Sequence, residues 1–359
     1  DCHDDPHHIH EVGDVHAITS AANQIRTCGA CHDSEEMPLE LYVASEHGRA
    51  VLLSGLTMAP GCTDCHGAAH RLFAVDSDRS PTTRENAPEM CGTCHEFLLH
   101  DWQEMSAHGL IWMENEQGPI CTDCHASHDI VDPTTAASRI ASPDNCGGCH
   151  DEYLGTFRDS FHGQATDLGM AKGAVCADCH TPHQNLPAAD PRSSVHPDNL
   201  IETCGQCHDN VNENFVAFQP HNDPTNPDDH YGVYIVWLFM TSLLIGVFVF
   251  FGVHDLLWLQ RSWVGLKRGE FDEEKVTNGQ WVRRFNMMNV RTHAVIITTF
   301  LILALTGLPL KFHAAPWAQT LMNLLGGVDM ARALHRIAAI GTFGYMLFHV
   351  GNVAWRWIV

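Results

Sequence analysis

Seven times this chain places two cysteines three residues apart with a histidine directly after the second. The seven are Cys28/Cys31/His32, Cys62/Cys65/His66, Cys91/Cys94/His95, Cys121/Cys124/His125, Cys146/Cys149/His150, Cys176/Cys179/His180 and Cys204/Cys207/His208. They use 14 of the 15 cysteines. Three chemistries suit closely spaced thiols: structural zinc, redox disulfides, and thioether bonds to the vinyl groups of a haem. Zinc and disulfides do not require a histidine after every second cysteine, yet all seven motifs have one. In the third chemistry the adjacent imidazole reaches the iron from the proximal side. Haem c at seven motifs is therefore the expectation, and attaching it requires export from the cytoplasm.

The fifteenth cysteine, Cys2, is followed by His3, and Asp1-Cys2-His3 matches the end of the Cys-x-Asp-Cys-His motifs at 62, 121 and 176. We read it as an eighth motif whose first cysteine lies upstream. The chain also stops within an apolar run, Trp357-Ile358-Val359, and is read as a piece of a longer protein.

The motifs belong to a repeat, with starts at Cys28, Cys91, Cys146 and Cys204, 55 to 63 residues apart. Each Cys-Gly-x-Cys-His is followed by a Ser-x-His-Gly element: Ser45 to Gly48, Ser106 to Gly109, Ser160 to Gly163. Next comes Cys-x-Asp-Cys-His, then a further histidine three or four residues on, which gives His70, His128 and His183. His221 holds the Ser-x-His-Gly position of the incomplete last repeat, and His7 follows His3 by four.

Eight proximal histidines, His3 included, are thus matched by eight others: His7, His47, His70, His108, His128, His162, His183 and His221. Every iron is expected to be six-coordinate, with imidazole on both sides. A histidine only three or four residues past its motif cannot easily turn back to its own iron, so these are expected on neighbouring haems. Six-coordinate iron leaves no place for substrate, which favours electron transfer over a multihaem reductase. His8, His10, His16, His100, His196 and His230 have no counterpart in the repeat and are not expected as ligands.

The elements that hold these residues divide near residue 230. Residues 1–230 carry a formal charge of −28 and residues 231–359 carry +5, which together make the net −23. The acidity excludes a nucleic-acid partner, whose phosphates need Lys and Arg. The expected fold is mainly α: a haem-packed, loop-rich multihaem cytochrome c domain over 1–221, a linker over 222–231, and a transmembrane helical cytochrome b-type domain over 232–359, incomplete at its C-terminus. Three apolar runs predict spans at about 232–257, 292–311 and 335–357, each near the length needed to cross a bilayer. Seven Lys/Arg lie in the loop 260–292 and only Arg332 in 312–334. The positive-inside rule then places the first loop in the cytoplasm, in agreement with an exported N-terminal domain.

Ionisable residues within spans are functional suspects. His335 and His349 are 14 residues apart, about 21 Å along a helix. That suits two stacked b-type haems, with His293 level with His349. His254 and His313 are weighed as interfacial. Arg291-Thr292-His293 with its span ending Leu305-Thr306-Gly307-Leu308, and Ala333-Leu334-His335-Arg336 with its apolar continuation, resemble the haem-bearing helices of formate dehydrogenase gamma and thiosulfate reductase cytochrome b subunits. That resemblance covers about 70 residues. It implies two b-haems, with some ligands on a further helix beyond Val359, and a menaquinone site near the inner haem. Residues 1–221 resemble multihaem cytochromes with doubled Cys-x-x-Cys-His motifs.

The expectation is respiratory electron transfer between a quinone/quinol pool (menaquinone or ubiquinone) and exported partners, either c-type cytochromes or a reductase or dehydrogenase subunit. As an enzyme it would be a quinol:cytochrome c-type oxidoreductase subunit. The expected location is the bacterial inner membrane, amid lipid, with the multihaem domain on the periplasmic side. Two alternatives stand beside this reading. One is a membrane-anchored multihaem reductase with one open haem; the other is a haem conduit whose spans are only anchors.

Overall fold

A computed structural model describes every residue except 1, 2, 4, 12, 35–38, 219, 271–284 and 359, and the side chains of 356–358. Cys2, the loop charges Lys275, Arg283 and Arg284, and the side chain of Arg356 therefore lie outside the described residues. Among the described residues the chain is mainly helical, with no strand.

The sequence repeat becomes a four-helix repeat. The first uses α1 (Ala21–Gly29), α2 (Leu39–Ala44), α3 (Glu46–Leu52) and α4 (Cys62–His66). The second uses α5 (Ala87–Gly92), α6 (Glu96–Met105), α7 (Ala107–Asn115) and α8 (Cys121–His125). The third uses α9 (Ala136–Gly147), α10 (Asp151–Asp159), α11 (Phe161–Asp167) and α12 (Cys176–His180). The fourth retains α13 (Leu200–Gly205) and α14 (Glu213–Val216). Helices this short do not hold themselves in water, so the motifs carry their own caps. The aspartate of each Cys-x-Asp-Cys-His accepts the N–H that precedes its helix: Asp64 from Gly61, Asp123 from Ile120 and Asp178 from Val175, each at 2.7 Å. That is the acidic half of a capping box. Arg84 and Arg139, each 39 residues upstream, clamp Asp123 and Asp178 at 2.9 and 2.8 Å. In the first repeat Gln24 takes the equivalent place and bonds Thr63 instead.

Membrane-type helices follow: α15 (Tyr231–Lys267), α16 (Met287–Lys311), a short α17 (Pro316–Leu324) and α18 (Gly327–Ile358). Three of them, α15, α16 and α18, are long and apolar enough to cross a membrane. At 37 residues α15 is about 55 Å long, well beyond a hydrocarbon core of about 30 Å. Its apolar side chains lie exposed, Phe248 by 71% and Phe250 by 66%, as a lipid-facing surface requires. The predicted loop 312–334 is instead mostly helical: it holds α17 and the first turns of α18.

By compactness the chain forms two units. One comprises 1–154 and 171–218, the other 155–170 and 219–359. Segment 155–170, which carries the third Ser-x-His-Gly element, thus clusters with the C-terminal helices. Ala165 and Leu168 bury with Ala318 and Met322 of α17 and Val328 and Ala331 of α18. Asp167 accepts a bond from His313 Nδ1 at 2.7 Å.

Candidate functional site

Each Ser-x-His-Gly element starts a helix and sets its histidine at the second helical residue. Ser45 Oγ accepts the Gly48 N–H and Ser160 Oγ accepts that of Gly163, as N-cap serines do. The glycine allows the previous helix to lie against this one. A Cβ at Gly48, Gly109 or Gly163 would collide with the carbonyl oxygen of Tyr42, Trp102 or Phe157, respectively. Glycine in the Cys-Gly-x-Cys-His motifs has a similar reason at three of its four positions. There Leu39, Leu99 and Leu154 occupy the space a side chain would need at Gly29, Gly92 and Gly147.

The Cys-x-Asp-Cys-His motifs end abruptly. The residue directly after each motif histidine has positive φ: Gly67 at 91°, Ala126 at 58° and Thr181 at 46°. That conformation is costly for alanine and threonine. It turns the chain out of the helix and carries His70, His128 and His183 away from their own motifs.

The outcome is a set of facing imidazole pairs across repeats. His70 meets His3 (ring centroids 5.6 Å apart, interplanar angle 27°), His128 meets His66 (6.0 Å, 13°), and His183 meets His125 (6.0 Å, 20°). In the opposite direction His47 meets His95 (6.2 Å, 21°) and His108 meets His150 (6.0 Å, 26°). A histidine just past a motif therefore faces the motif histidine one repeat earlier, and a Ser-x-His-Gly histidine faces the motif histidine one repeat later. Each of the five pairs joins one motif histidine to one histidine from the predicted second set.

The spacing is the informative quantity. Metal–imidazole bonds of about 2 Å on both sides put ring centroids a little over 6 Å apart with the rings facing. For His3 and His70 the Nε2 atoms are 3.5 Å apart. Burial pushes His47, His66, His108, His125 and His183 below the ordinary histidine range. The facing imidazole adds to this for the first four. Both effects favour the neutral ring, the state that binds metal. Asn185 lies 3.0 Å from His108 Nδ1 and is itself anchored to Ser106, which fixes that ring. No cluster of three or more His, Cys, Asp or Glu among the described residues is arranged to hold a metal ion.

The thiols follow the same order. All fourteen described cysteines are free of disulfides. Cys28 is the neighbouring thiol of Cys62, Cys91 that of Cys121 and Cys146 that of Cys176, each close enough to shift its neighbour's protonation. Between these contacts, Cys65 lies within electrostatic reach of Cys94, Cys124 of Cys146 and Cys149, and Cys179 of Cys204 and Cys207. Burial pushes the Cys62 thiol up to about 11, with Cys28 adding to the shift. Successive motifs are therefore neighbours from the first to the seventh. Of the predicted haem-attaching cysteines among the described residues, Cys31 is the one that the structure does not bring into this series. It is exposed and lies beyond the last residue of α1, where its backbone N–H bonds the Cys28 carbonyl at 3.1 Å. The physical reason is position. In the later repeats the second cysteine of a Cys-Gly-x-Cys-His motif stands beside a thiol of the preceding motif; Cys2, the cysteine of the expected motif before Cys28, lies outside the described residues.

The remaining expected ligands are placed as follows. His7 and His32 are in no such pair among the described residues; the His7 backbone N–H bonds Asp5. His208 packs on Phe215, and His221 Nδ1 lies 3.0 Å from Thr156 Oγ1. His162 starts α11, and Phe161 beside it lines a cavity of about 290 Å³ with Thr306, Leu310, Met322, Val328, Ala331, Arg332, His335 and Arg336. His335 Nδ1 lies 2.8 Å from the buried Thr306 hydroxyl. A second contact, Thr342 to Thr299 at 3.0 Å, sets α16 and α18 antiparallel in the same register. That register puts His293 level with Phe348 and His349. His293 and His349 are both exposed, and His349 stacks on Tyr345. His254 bonds its neighbour Asp255.

Sequence reasoning singled out the histidines and quoted Thr306 only within the Leu305 to Leu308 stretch, without a role; it missed Asn185 and the residues that turn the chain after each motif. A threonine 29 residues before His335 on another helix has no local signature. The chain matches no known family, no curated protein and no solved structure.

Proposed function

We propose that this chain is a membrane-anchored multihaem cytochrome that exchanges electrons between a quinone/quinol pool and redox partners outside the cytoplasm. The observation that carries the reading is the set of five facing imidazole pairs, 5.6 to 6.2 Å apart, each built from one motif histidine and one histidine of another repeat. Haem, held by the motif cysteines, supplies one-electron chemistry, with a potential set by its axial ligands and its burial.

The roles of the chain's own residues follow. The motif cysteines hold the porphyrin edges through thioethers; the exposed Cys31 does so together with Cys28. His3, His32, His66, His95, His125, His150, His180 and His208 serve as proximal ligands. The distal set is His7, His47, His70, His108, His128, His162, His183 and His221. Facing imidazoles on both sides exclude substrate from the metal, which favours transfer over catalysis. Contact between consecutive motifs supports one path in sequence order rather than isolated sites. In the membrane part, His293, His335 and His349 are the ligand candidates for two b-type haems. The acidic face of the N-terminal part suits steering toward a basic exported partner.

Pyridine haemochrome analysis of the detergent-solubilised full-length protein tests this directly. The expected result is covalent haem c together with extractable haem b, both reduced on adding a quinol. Colourless protein would overturn the whole reading. Haem c without haem b would overturn the quinol part and leave the conduit alternative.

A further inference from the structure

Thr306 and His335 form the most specific polar contact between α16 and α18. Thr306 is 2% exposed. Its Oγ1 lies 2.7 Å from the Ile302 carbonyl oxygen and 3.3 Å from that of Leu303, in the usual back-bonded arrangement of a helical threonine. A hydroxyl has one proton to give and two lone pairs. Since that proton goes to the carbonyl, the only role left for Oγ1 toward His335 is acceptor. His335 Nδ1, at 2.8 Å, must then carry the proton, and Nε2 is left bare. The hydrogen bond at one ring nitrogen decides what the other can do.

The surroundings suit a planar group with acidic edges. The cavity beside His335 is walled by apolar Phe161, Leu310, Met322, Val328 and Ala331, and Arg332, which pairs with Asp329 at 3.0 Å, and Arg336 of α18 also line it. Gly307 lies against the imidazole, where a Cβ would sit 3.5 Å from Cε1.

We propose that Thr306 is the positioning residue that presents His335 as a metal ligand through Nε2, with Arg332 and Arg336 receiving the carboxylates of the bound porphyrin. This rests on reading the membrane part as a b-type haem carrier. Thr306 touches no metal; it acts through His335. An accepted Nδ1–H bond makes the imidazole a stronger base and favours the oxidised metal.

The experiment uses full-length holoprotein carrying Thr306→Val, which keeps shape and loses the acceptor, and Thr306→Ser, which restores it. The readouts are the midpoint potential of each haem b by spectroelectrochemistry and the low-spin electron paramagnetic resonance signal. T306V is expected to raise the potential of one haem b and move its low-spin signal, and T306S is expected to return both to the wild-type values. A purely structural role would not be rescued in potential by serine while haem content stays constant. Unchanged potentials in T306V at full haem b occupancy would overturn the proposal. Wild-type protein without haem b would instead overturn the reading beneath it. If T306V does not accumulate, T306A carries the same comparison.

Discussion

Replacing His128 by alanine is expected to alter a haem site 62 residues away in sequence and to leave its own motif, three residues away, intact. His128 faces His66 across 6.0 Å with an interplanar angle of 13°, whereas its near neighbour His125 faces His183. Alanine cannot span that gap, so the site at Cys62 and Cys65 loses one axial imidazole and becomes five-coordinate. One of the eight proposed sites changes, so about one-eighth of the low-spin haem c converts to high-spin, as each iron keeps its low-spin state only with both axial ligands. The ring is only partly buried. The cost to stability should stay near 1 kcal/mol, the ordinary scale for a point mutation, and the fold survives to be assayed. Carbon monoxide binding to the reduced protein and the high-spin resonance measure the conversion. A second deletion then locates it. Removing the second motif with Cys62→Ala and Cys65→Ala should abolish the new signal, while removing the fourth with Cys121→Ala and Cys124→Ala should leave it. The opposite pattern would refute pairing across repeats.

Three other expectations test the same architecture. Burial lowers the folded-state pKa of His47, His66, His108, His125 and His183, so folding disfavours their protonation. The neutral pairs cost nothing above about 6.5, the ordinary histidine pKa, and become destabilised as pH falls below it. An acid titration of the low-spin absorbance should therefore show loss only on the acid side, and loss between neutral pH and pH 8 would contradict the assignment. Ala126 holds φ at 58° directly after His125. Ala126→Gly should raise stability to denaturant by about 1 kcal/mol, the scale of the left-handed penalty it relieves; a decrease would mean the turn is not strained there. Asp167→Asn weakens the 2.7 Å bond from the largely buried His313. The loss should be about 1.5–3 kcal/mol, as for hydrogen bonds to charged groups. It would appear as faster proteolytic cutting within 155–170, and unchanged cutting would show that the bond does not hold α11 in place.

Residue type and spacing alone marked the candidate attachment sites, because a covalent link to one prosthetic group would need both thiols and the imidazole within one short turn. The same holds for the three long apolar helices, since crossing a bilayer is a matter of length and composition. Of the histidines outside the repeat, His100 and His196 have acidic neighbours, whereas His10 and His16 lie 6.1 Å apart with their rings tilted by 52°. Which histidine faces which was not legible. The count of sixteen fits many pairings, and the choice depends on the direction the chain takes after each motif. That direction is set by the positive-φ residues Gly67, Ala126 and Thr181 and by the close helix crossings that Gly48, Gly109 and Gly163 permit. Likewise, nothing local announces that α11 packs with α17 and α18, or that the Thr306 hydroxyl meets the His335 ring. Those facts join residues tens to more than a hundred positions apart, and only folding brings them within bonding distance.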